Sequence, residues 1–268
     1  MASRILHQRG LIAYNISASS RPNNLKSRCY RIPALTNHAY FSTKSSSDDN
    51  EKDDLDAKRI TKNEKAITTG QYVKTVSELS KARLSALVVS TSSFGFLAAA
   101  TPISFTTLAA ASLGTALCSS SASTLNQIFE QDRDARMKRT QKRPLVTKEV
   151  VSSNGAYALA VSTGFLGGST LYFGTDPITT ALGVGNIALY AGAYTYLKPR
   201  SEWNTWVGAI VGAIPPIMGY TAATNGNGLF DVEAALLGGT LFLWQFPHFF
   251  ALSWMHRIDY ARGGFQVR

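Results

Sequence analysis

Charged residues are scarce in this chain of 268 amino acids, since Asp, Glu, Lys and Arg together make up 16% of it. A soluble globular domain usually carries about 25%. The deficit is concentrated between Leu84 and Phe129, a run of 46 residues without a single charge. Such a run is very hard to reconcile with a soluble fold, whose surface must be solvated. The mean hydropathy of −0.03 hides this run because it averages a polar N-terminal part with an apolar body.

Cysteine is also scarce, with Cys29 and Cys118 as the two cysteines of the chain. Two cysteines so far apart form neither a disulfide framework nor the paired spacing of a cysteine-based metal site. We therefore expect no disulfide in the mature protein.

Acidic residues are missing from residues 1–47, which carry seven Arg and Lys among many Ser and Asn. An acid-free, Arg- and Ser-rich N-terminus without a continuous apolar core is typical of a mitochondrial transit peptide, and a disordered basic arm is the alternative. The acidic, Ser-rich residues that follow predict a polar disordered linker over 48–75. Residues 76–268 then form the membrane domain.

Six apolar segments can be read in that domain, each near the roughly 20 residues that a helix needs to cross a bilayer. They cover residues 84–101, 104–127, 151–173, 178–197, 204–223 and 230–254. The sequence therefore predicts an all-α, polytopic transmembrane helical bundle with the lipid bilayer as its surroundings.

Charge sorts the loops between these segments into two groups. The 130–149 connection carries seven bases, and Lys198, Arg200 and the basic tail after the sixth segment fall on the same side. The loops between them carry Asp176, Asp231 and Glu233 and no base. The positive-inside rule places the basic loops in the cytoplasm or, for a mitochondrial inner-membrane protein, in the matrix.

Asn126, Glu130 and Asp134 stand four residues apart at the end of the second apolar segment. On a continuous helix this spacing places three oxygen ligands on one face, and such ligands suit Mg²⁺. Arg139 and Arg143 follow closely, as expected where cations and a metal grip one anion with many oxygens, such as a diphosphate. The alternative is an interfacial loop whose acids and bases neutralise one another.

Three stretches resemble the UbiA-type intramembrane prenyltransferase superfamily, and within it the haem O synthase branch. The first, 126–145, is similar to the superfamily's Asp-rich motif, with Glu130 at a position that is often Asp. The second covers 194–200 and 204–220, and the third 243–264. The resemblance extends from about residue 75 to the end of the chain.

This resemblance implies a helical bundle whose central cavity holds an isoprenoid tail, with Mg²⁺ and diphosphate at one mouth. It assigns Mg²⁺ binding and catalysis to Asn126, Glu130 and Asp134, and a further catalytic role to Asp259. The diphosphate ligands that it implies are the bases Lys138, Arg139, Arg143, Lys198 and Arg200. Aromatic side chains that could shield a carbocation are Trp244, Phe249, Phe250 and Trp254, and the alternative for each is a lipid-facing or packing role.

His248 lies inside the sixth apolar segment. It is a candidate haem ligand, through the iron or a propionate, and the alternative is a buried histidine bonded to a neighbouring carbonyl.

The resemblance further implies that farnesyl is transferred from farnesyl diphosphate to the vinyl group of haem b. The product, haem O, serves haem A biosynthesis and cytochrome c oxidase assembly, so the resemblance implies haem A synthase as a partner. We expect no nucleic acid partner. Two alternatives are a membrane prenyltransferase for a quinone or other aromatic acceptor and a non-catalytic carrier or assembly factor. Members of the superfamily continue with further spanning helices beyond the position of Asp259, so we expect those C-terminal spans to be absent from this chain.

Overall fold

A computed structural model describes residues 68–99, 102–148 and 150–266. The chain divides into two units, 1–63 and 64–268, and every described residue lies in the second unit. The predicted transit peptide and residues 48–67 of the predicted linker lie outside the described residues.

The described residues form helices and no strand, which confirms the prediction of an all-α fold. The α-helices, in chain order, are α1 (Thr69–Leu79), α2 (Ala82–Ala98), α3 (Phe105–Phe129), α4 (Gln131–Asp134), α5 (Pro144–Thr147), α6 (Ser153–Gly174), α7 (Pro177–Ala188), α8 (Thr195–Leu197), α9 (Asn204–Ala223), α10 (Val232–Met255) and α11 (Arg257–Gly263). A π-helical segment, Leu189–Tyr194, joins α7 to α8, and a 3₁₀ turn, Asn227–Phe230, precedes α10.

Each of the six apolar segments is occupied by helix: α2, α3, α6, the continuous run from α7 to α8, α9 and α10. Among the described residues, α9 and α10 are long and apolar enough to cross a membrane, and α2 is apolar but shorter. That all six segments span a bilayer stays a prediction.

Helix α1 begins inside the stretch that the sequence predicted as disordered, so the predicted linker ends too late by at least the seven residues 69–75. Thr68 and Gln71 form a reciprocal capping box, in which each side chain accepts a hydrogen bond from the other residue's backbone N–H. Leu79, fully buried near the helix end, anchors α1 against α5 and α6 through Leu145 and Ala156. A local capping signal and one apolar contact thus extend the helical domain toward the N-terminus.

The bundle buries small polar side chains and exposes large apolar ones. Ser92 and Thr124 are at most 1% exposed, whereas Phe165 and Phe173 are 73% and 85% exposed. In water this distribution would leave apolar surface unprotected, but it is the one expected where lipid surrounds the helices and hydroxyl groups bond between them.

Helix α9 occupies the middle of the bundle and packs against α2, α3, α7 and α10. Its contact with α2 is so close that the backbones touch. A Cβ atom added to Gly219 would lie 1.7 Å from the carbonyl oxygen of Ser92, and one added to Gly95 would lie 2.0 Å from that of Pro216. Only glycine permits this approach at both positions.

Candidate active site

Asn126, Glu130 and Asp134 lie one helical turn apart at the junction of α3 and α4. The backbone N–H of Glu130 donates to the Asn126 carbonyl (3.0 Å), and that of Asp134 donates to the Glu130 carbonyl (2.8 Å). The three side chains therefore share one face, as their spacing predicts. All three residues are at most 3% exposed, so their oxygen atoms form a buried polar column.

Each member of this column is paired with a cation from a different part of the chain. The Arg143 guanidinium binds the Asp134 carboxylate, and Lys198 Nζ lies 2.9 Å from Glu130 Oε1. Lys81 Nζ donates to Asn126 Oδ1 (3.0 Å). The structure thus brings together two of the predicted diphosphate ligands, Arg143 and Lys198, and a lysine outside the predicted site, Lys81.

Lys81 occupies the turn between α1 and α2, where its φ of 48° is left-handed. Its ammonium group also donates to the Tyr190 hydroxyl (3.3 Å). Burial lowers the pKa of Lys81 to about 7, and repulsion from Arg143 and Lys198 acts in the same direction. The signal that could have found this residue is a lysine three residues before the long uncharged run that begins at Leu84, where the chain enters the membrane domain.

Asp134 combines burial with an incomplete set of partners. Its Oδ1 atom is buried and accepts no hydrogen bond from the described residues. Burial raises the pKa of its carboxyl group, against the opposing effect of the Arg143 guanidinium. Thr140 Oγ1 donates to the Asp134 carbonyl (2.9 Å) and so ties the basic loop to this turn. A free carboxylate oxygen beside two further oxygen ligands suits Mg²⁺, which takes oxygen atoms at close range.

The other predicted site residues lie around this column. Lys138 and Arg139 are exposed in the basic connection 130–149, the first basic loop. The Arg139 guanidinium lies 5.9 Å from the Tyr260 ring. Arg200 instead stacks on Tyr196, 3.9 Å from that ring, and donates to its carbonyl.

The remaining predicted catalytic carboxylate, Asp259, lies on α11 and pairs with Arg262 on the same helix, at 3.6 Å. The structure therefore does not join Arg200 or Asp259 to the oxygen column.

A cavity of about 1,040 Å³ lies between α2, α3, α7, α9 and α10. Its walls are mainly apolar, and Tyr190 and Tyr194 of the π-helical segment line it. These two rings stack at 5.4 Å, with the Lys81 ammonium bonded to one and the Lys198 ammonium 5.7 Å from the centre of the other. The stacked tyrosines thus lie between the apolar cavity and the oxygen column with its cations. The sequence reasoning missed both, because neither carries charge or belongs to a polar motif.

His248 lines the same cavity and stacks on Trp244 at 4.7 Å. It is exposed rather than buried against a carbonyl, so it presents a ring nitrogen where a bound molecule could reach it. Phe249 also lines the cavity, whereas Phe250 and Trp254 are 51% and 72% exposed.

Comparisons with known proteins find relatives of this chain by sequence and by fold. The human protein named "Protoheme IX farnesyltransferase, mitochondrial" is 50% identical over 190 residues, which are 71% of this chain and 42% of that protein. The protein of that name from Arabidopsis thaliana is 42% identical over 198 residues, 73% of this chain and 45% of its own length. The chain thus spans about two fifths of the length of the curated relatives that it matches.

A solved structure of a UbiA homolog from Archaeoglobus fulgidus, bound to GPP and Mg²⁺, has the same fold with a TM-score of 0.58. The two sequences are 18% identical, and the match covers 72% of this chain and 67% of the archaeal one. The model of the UbiA prenyltransferase family matches residues 87–267, which include the oxygen column, two of its three cations and most of the cavity walls. The chain belongs to the UbiA prenyltransferase family.

Proposed function

We propose that this protein transfers the farnesyl group of farnesyl diphosphate to a vinyl group of haem b, giving haem O. One observation supports the proposal above all: a buried column of three oxygen ligands, each paired with a cation, opens beside a large apolar cavity. A diphosphate with a long hydrocarbon tail has the same division between charge and apolar surface. The names of the relatives supply the haem acceptor.

Asn126, Glu130 and Asp134 would hold Mg²⁺, and the unpaired Asp134 Oδ1 supplies a ready ligand atom. When bound, the ion would neutralise charge on the diphosphate as it leaves. Lys198, Arg143 and Lys81 lie within reach of the same anion, and Lys138 and Arg139 can approach it from the exposed loop. Diphosphate binding would draw these cations from the carboxylates to the phosphate oxygens.

Transfer begins when the bond between C1 of farnesyl and the diphosphate oxygen breaks, and the electron pair leaves with the diphosphate. The allylic cation that remains would form at the boundary between column and cavity, beside the faces of Tyr190 and Tyr194. The π electrons of the haem vinyl group then attack C1. Water adds to the resulting cation, and loss of a proton leaves the hydroxyethylfarnesyl group.

On the acceptor side, we assign His248 to contact with haem, through either the iron or a propionate. Its ring lies in the cavity wall and is held in position by the parallel Trp244 indole. Trp244 and Phe249 add aromatic surface along the same wall for a flat macrocycle or the isoprenoid tail.

We place the protein in the mitochondrial inner membrane, with the two basic loops facing the matrix. The names of the relatives support the organelle, and the charge of the loops supports the orientation. In that setting haem A synthase is the candidate partner that would take up the product.

The purified full chain, given haem b, farnesyl diphosphate and Mg²⁺, should form haem O, detectable by chromatography and mass. Asp134→Ala should abolish product because it removes the free ligand oxygen and leaves Arg143 unpaired, while membrane insertion is retained. Asp132→Asn, an exposed acid of the same turn, is the matched control and should keep full turnover. His248→Ala should weaken haem binding, measured by titrating haem b into the purified chain and following the haem absorbance.

Wild-type turnover by Asp134→Ala would contradict the metal site. Product formed with a quinone or another aromatic acceptor but not with haem b would indicate the other prenyltransferase class. Binding of both substrates without any product would indicate a carrier.

A further inference from the structure

The segment that follows α10 folds back toward the oxygen column and its cations. After His256 the chain forms α11, and Gly264 then turns it with a φ of 69°, a left-handed value that glycine adopts without strain. The turn brings the backbone N–H of Gln266 to the carbonyl of Lys198, at 3.1 Å. The end of the described chain is therefore bonded to the loop that carries Lys198 and Arg200, the second basic loop.

The same segment is also tied to the first basic loop. Arg133 donates to the carbonyl oxygens of Gly263 and Gly264, each at 3.3 Å. Gly263 is buried against Met137, so that a Cβ atom there would lie 3.0 Å from the Met137 sulfur. Residues 263–266 thus join two loops that are distant in sequence.

Phe265 lies at the centre of this junction and is only 8% exposed. The Lys198 ammonium lies 4.5 Å from the centre of its ring, closer than the 5.7 Å that separates it from the Tyr194 ring. The Arg133 guanidinium lies 5.7 Å from the Phe265 ring. An aromatic face at 4.5 Å attracts a cation without placing a second negative charge beside it, so the Phe265 ring does not compete with an anion for Lys198.

We propose that Phe265 is a positioning residue for Lys198. Its ring holds the ammonium group beside Glu130 when no anion is present and lets it turn toward a diphosphate when one arrives. A carboxylate at position 265 would compete with the diphosphate for the Lys198 ammonium group. An aliphatic side chain at that position would fill the space without attracting the ammonium group. The inference rests on the proposed function to the extent that Lys198 is taken as a diphosphate ligand.

The test is binding of inorganic pyrophosphate in the presence of Mg²⁺, measured by titration calorimetry on the full chain in detergent. Phe265→Leu keeps an apolar side chain but removes the aromatic face, and it should weaken binding about three- to tenfold. Phe265→Tyr keeps the face and should restore affinity to within about twofold. Phe173→Leu, which removes an 85% exposed ring elsewhere on the surface, is the matched control and should bind as the wild type does.

A second comparison separates positioning from packing. In a Lys198→Ala background, Phe265→Leu should cause no further loss, because the ring acts through the ammonium group. Equal losses in both backgrounds, a tyrosine variant as weak as the leucine variant, or wild-type affinity in Phe265→Leu would each overturn the proposal. So would a wild-type chain that binds no pyrophosphate with Mg²⁺.

Farnesyl transfer to haem, measured on the same samples, distinguishes this inference from the proposed function. A wild-type chain that binds pyrophosphate but makes no haem O would contradict the proposed farnesyl transfer to haem b. The proposed role of Phe265 would be unaffected. Normal haem O formation together with unchanged binding in Phe265→Leu would contradict the role of Phe265 alone.

Discussion

At the scale of single residues, the amide of Asn126 is held from both ends. Its Oδ1 accepts from Lys81, and its Nδ2 donates to Thr195 Oγ1 at 3.0 Å. The Thr195 hydroxyl has its own proton committed to the carbonyl of Tyr190, at 2.9 Å, so it can only accept from the amide. This relay fixes which end of the amide faces the cations, and hence which end could face a metal ion.

Thr195→Val should therefore weaken Mg²⁺ activation while the chain still folds. Valine has the shape of threonine but cannot accept the hydrogen bond, so the buried Nδ2 loses its partner at a cost of about 1–3 kcal/mol. We expect the Mg²⁺ concentration for half-maximal turnover to rise about threefold or more. Thr170→Val, which removes an exposed hydroxyl that bonds within its own helix, should leave that concentration unchanged, and an equal rise in both variants would argue against the relay.

The residues that could be predicted from the sequence are those whose relation is local. Asn126, Glu130 and Asp134 were found by their spacing, because helical periodicity alone determines that they share a face. Lys81 and Thr195 contact Asn126 across 45 and 69 residues of sequence. No periodic pattern records such contacts, and the position of Lys81 close to the start of the uncharged run indicates the membrane boundary rather than its partner.

At the scale of helices, the contact between α2 and α9 is the least tolerant in the bundle. Gly219 lies against main-chain atoms of α2, which cannot move aside as a flexible side chain would. Apolar segments predicted the positions of these helices to within a few residues. The sequence could not predict which glycines meet a neighbouring helix, since α9 and α10 contain several that look alike.

Gly219→Ala should accordingly force α2 and α9 apart and lower stability by about 3 kcal/mol, the upper part of the usual range for overpacking. Gly239→Ala on α10 is the matched control, because a Cβ atom there meets nothing within 4 Å. Thermal unfolding in detergent should show a lower midpoint for the first variant and an equal or higher one for the second. Similar midpoints for Gly219→Ala and the wild type would contradict the close contact.

At the scale of the whole molecule, the proposed topology places the oxygen column and the 3₁₀ turn before α10 on opposite sides of the membrane. Arg143 and Lys198, which pair with the oxygen column, come from the two basic loops, whereas the 3₁₀ turn belongs to the loops that carry no base. The fold class, the helix order and the convergence of the basic loops were all predictable from charge and hydropathy. The cavity was predictable only through the resemblance to a family, since its walls come from five helices.

Cysteine labelling can check this orientation. In a background with Cys29 and Cys118 replaced by serine, Lys142→Cys should react with an impermeant thiol reagent from the matrix side only. Asn227→Cys, exposed on the 3₁₀ turn, should react from the opposite side only. Labelling of both positions from one side would contradict alternation of the loops, and reversed labelling would contradict the positive-inside assignment.

The distance along the chain between Glu130 and Lys198 has a consequence for synthesis. These partners are 68 residues apart, and a ribosome adding roughly 5–20 residues per second needs about 3 to 14 s to make that stretch. During that interval Glu130 is without the lysine that pairs with it in the finished fold, and Phe265 is made later still. A nascent chain therefore carries the oxygen column before all of its partners exist, and the anion binding that we propose would be acquired only after residue 265 has been made.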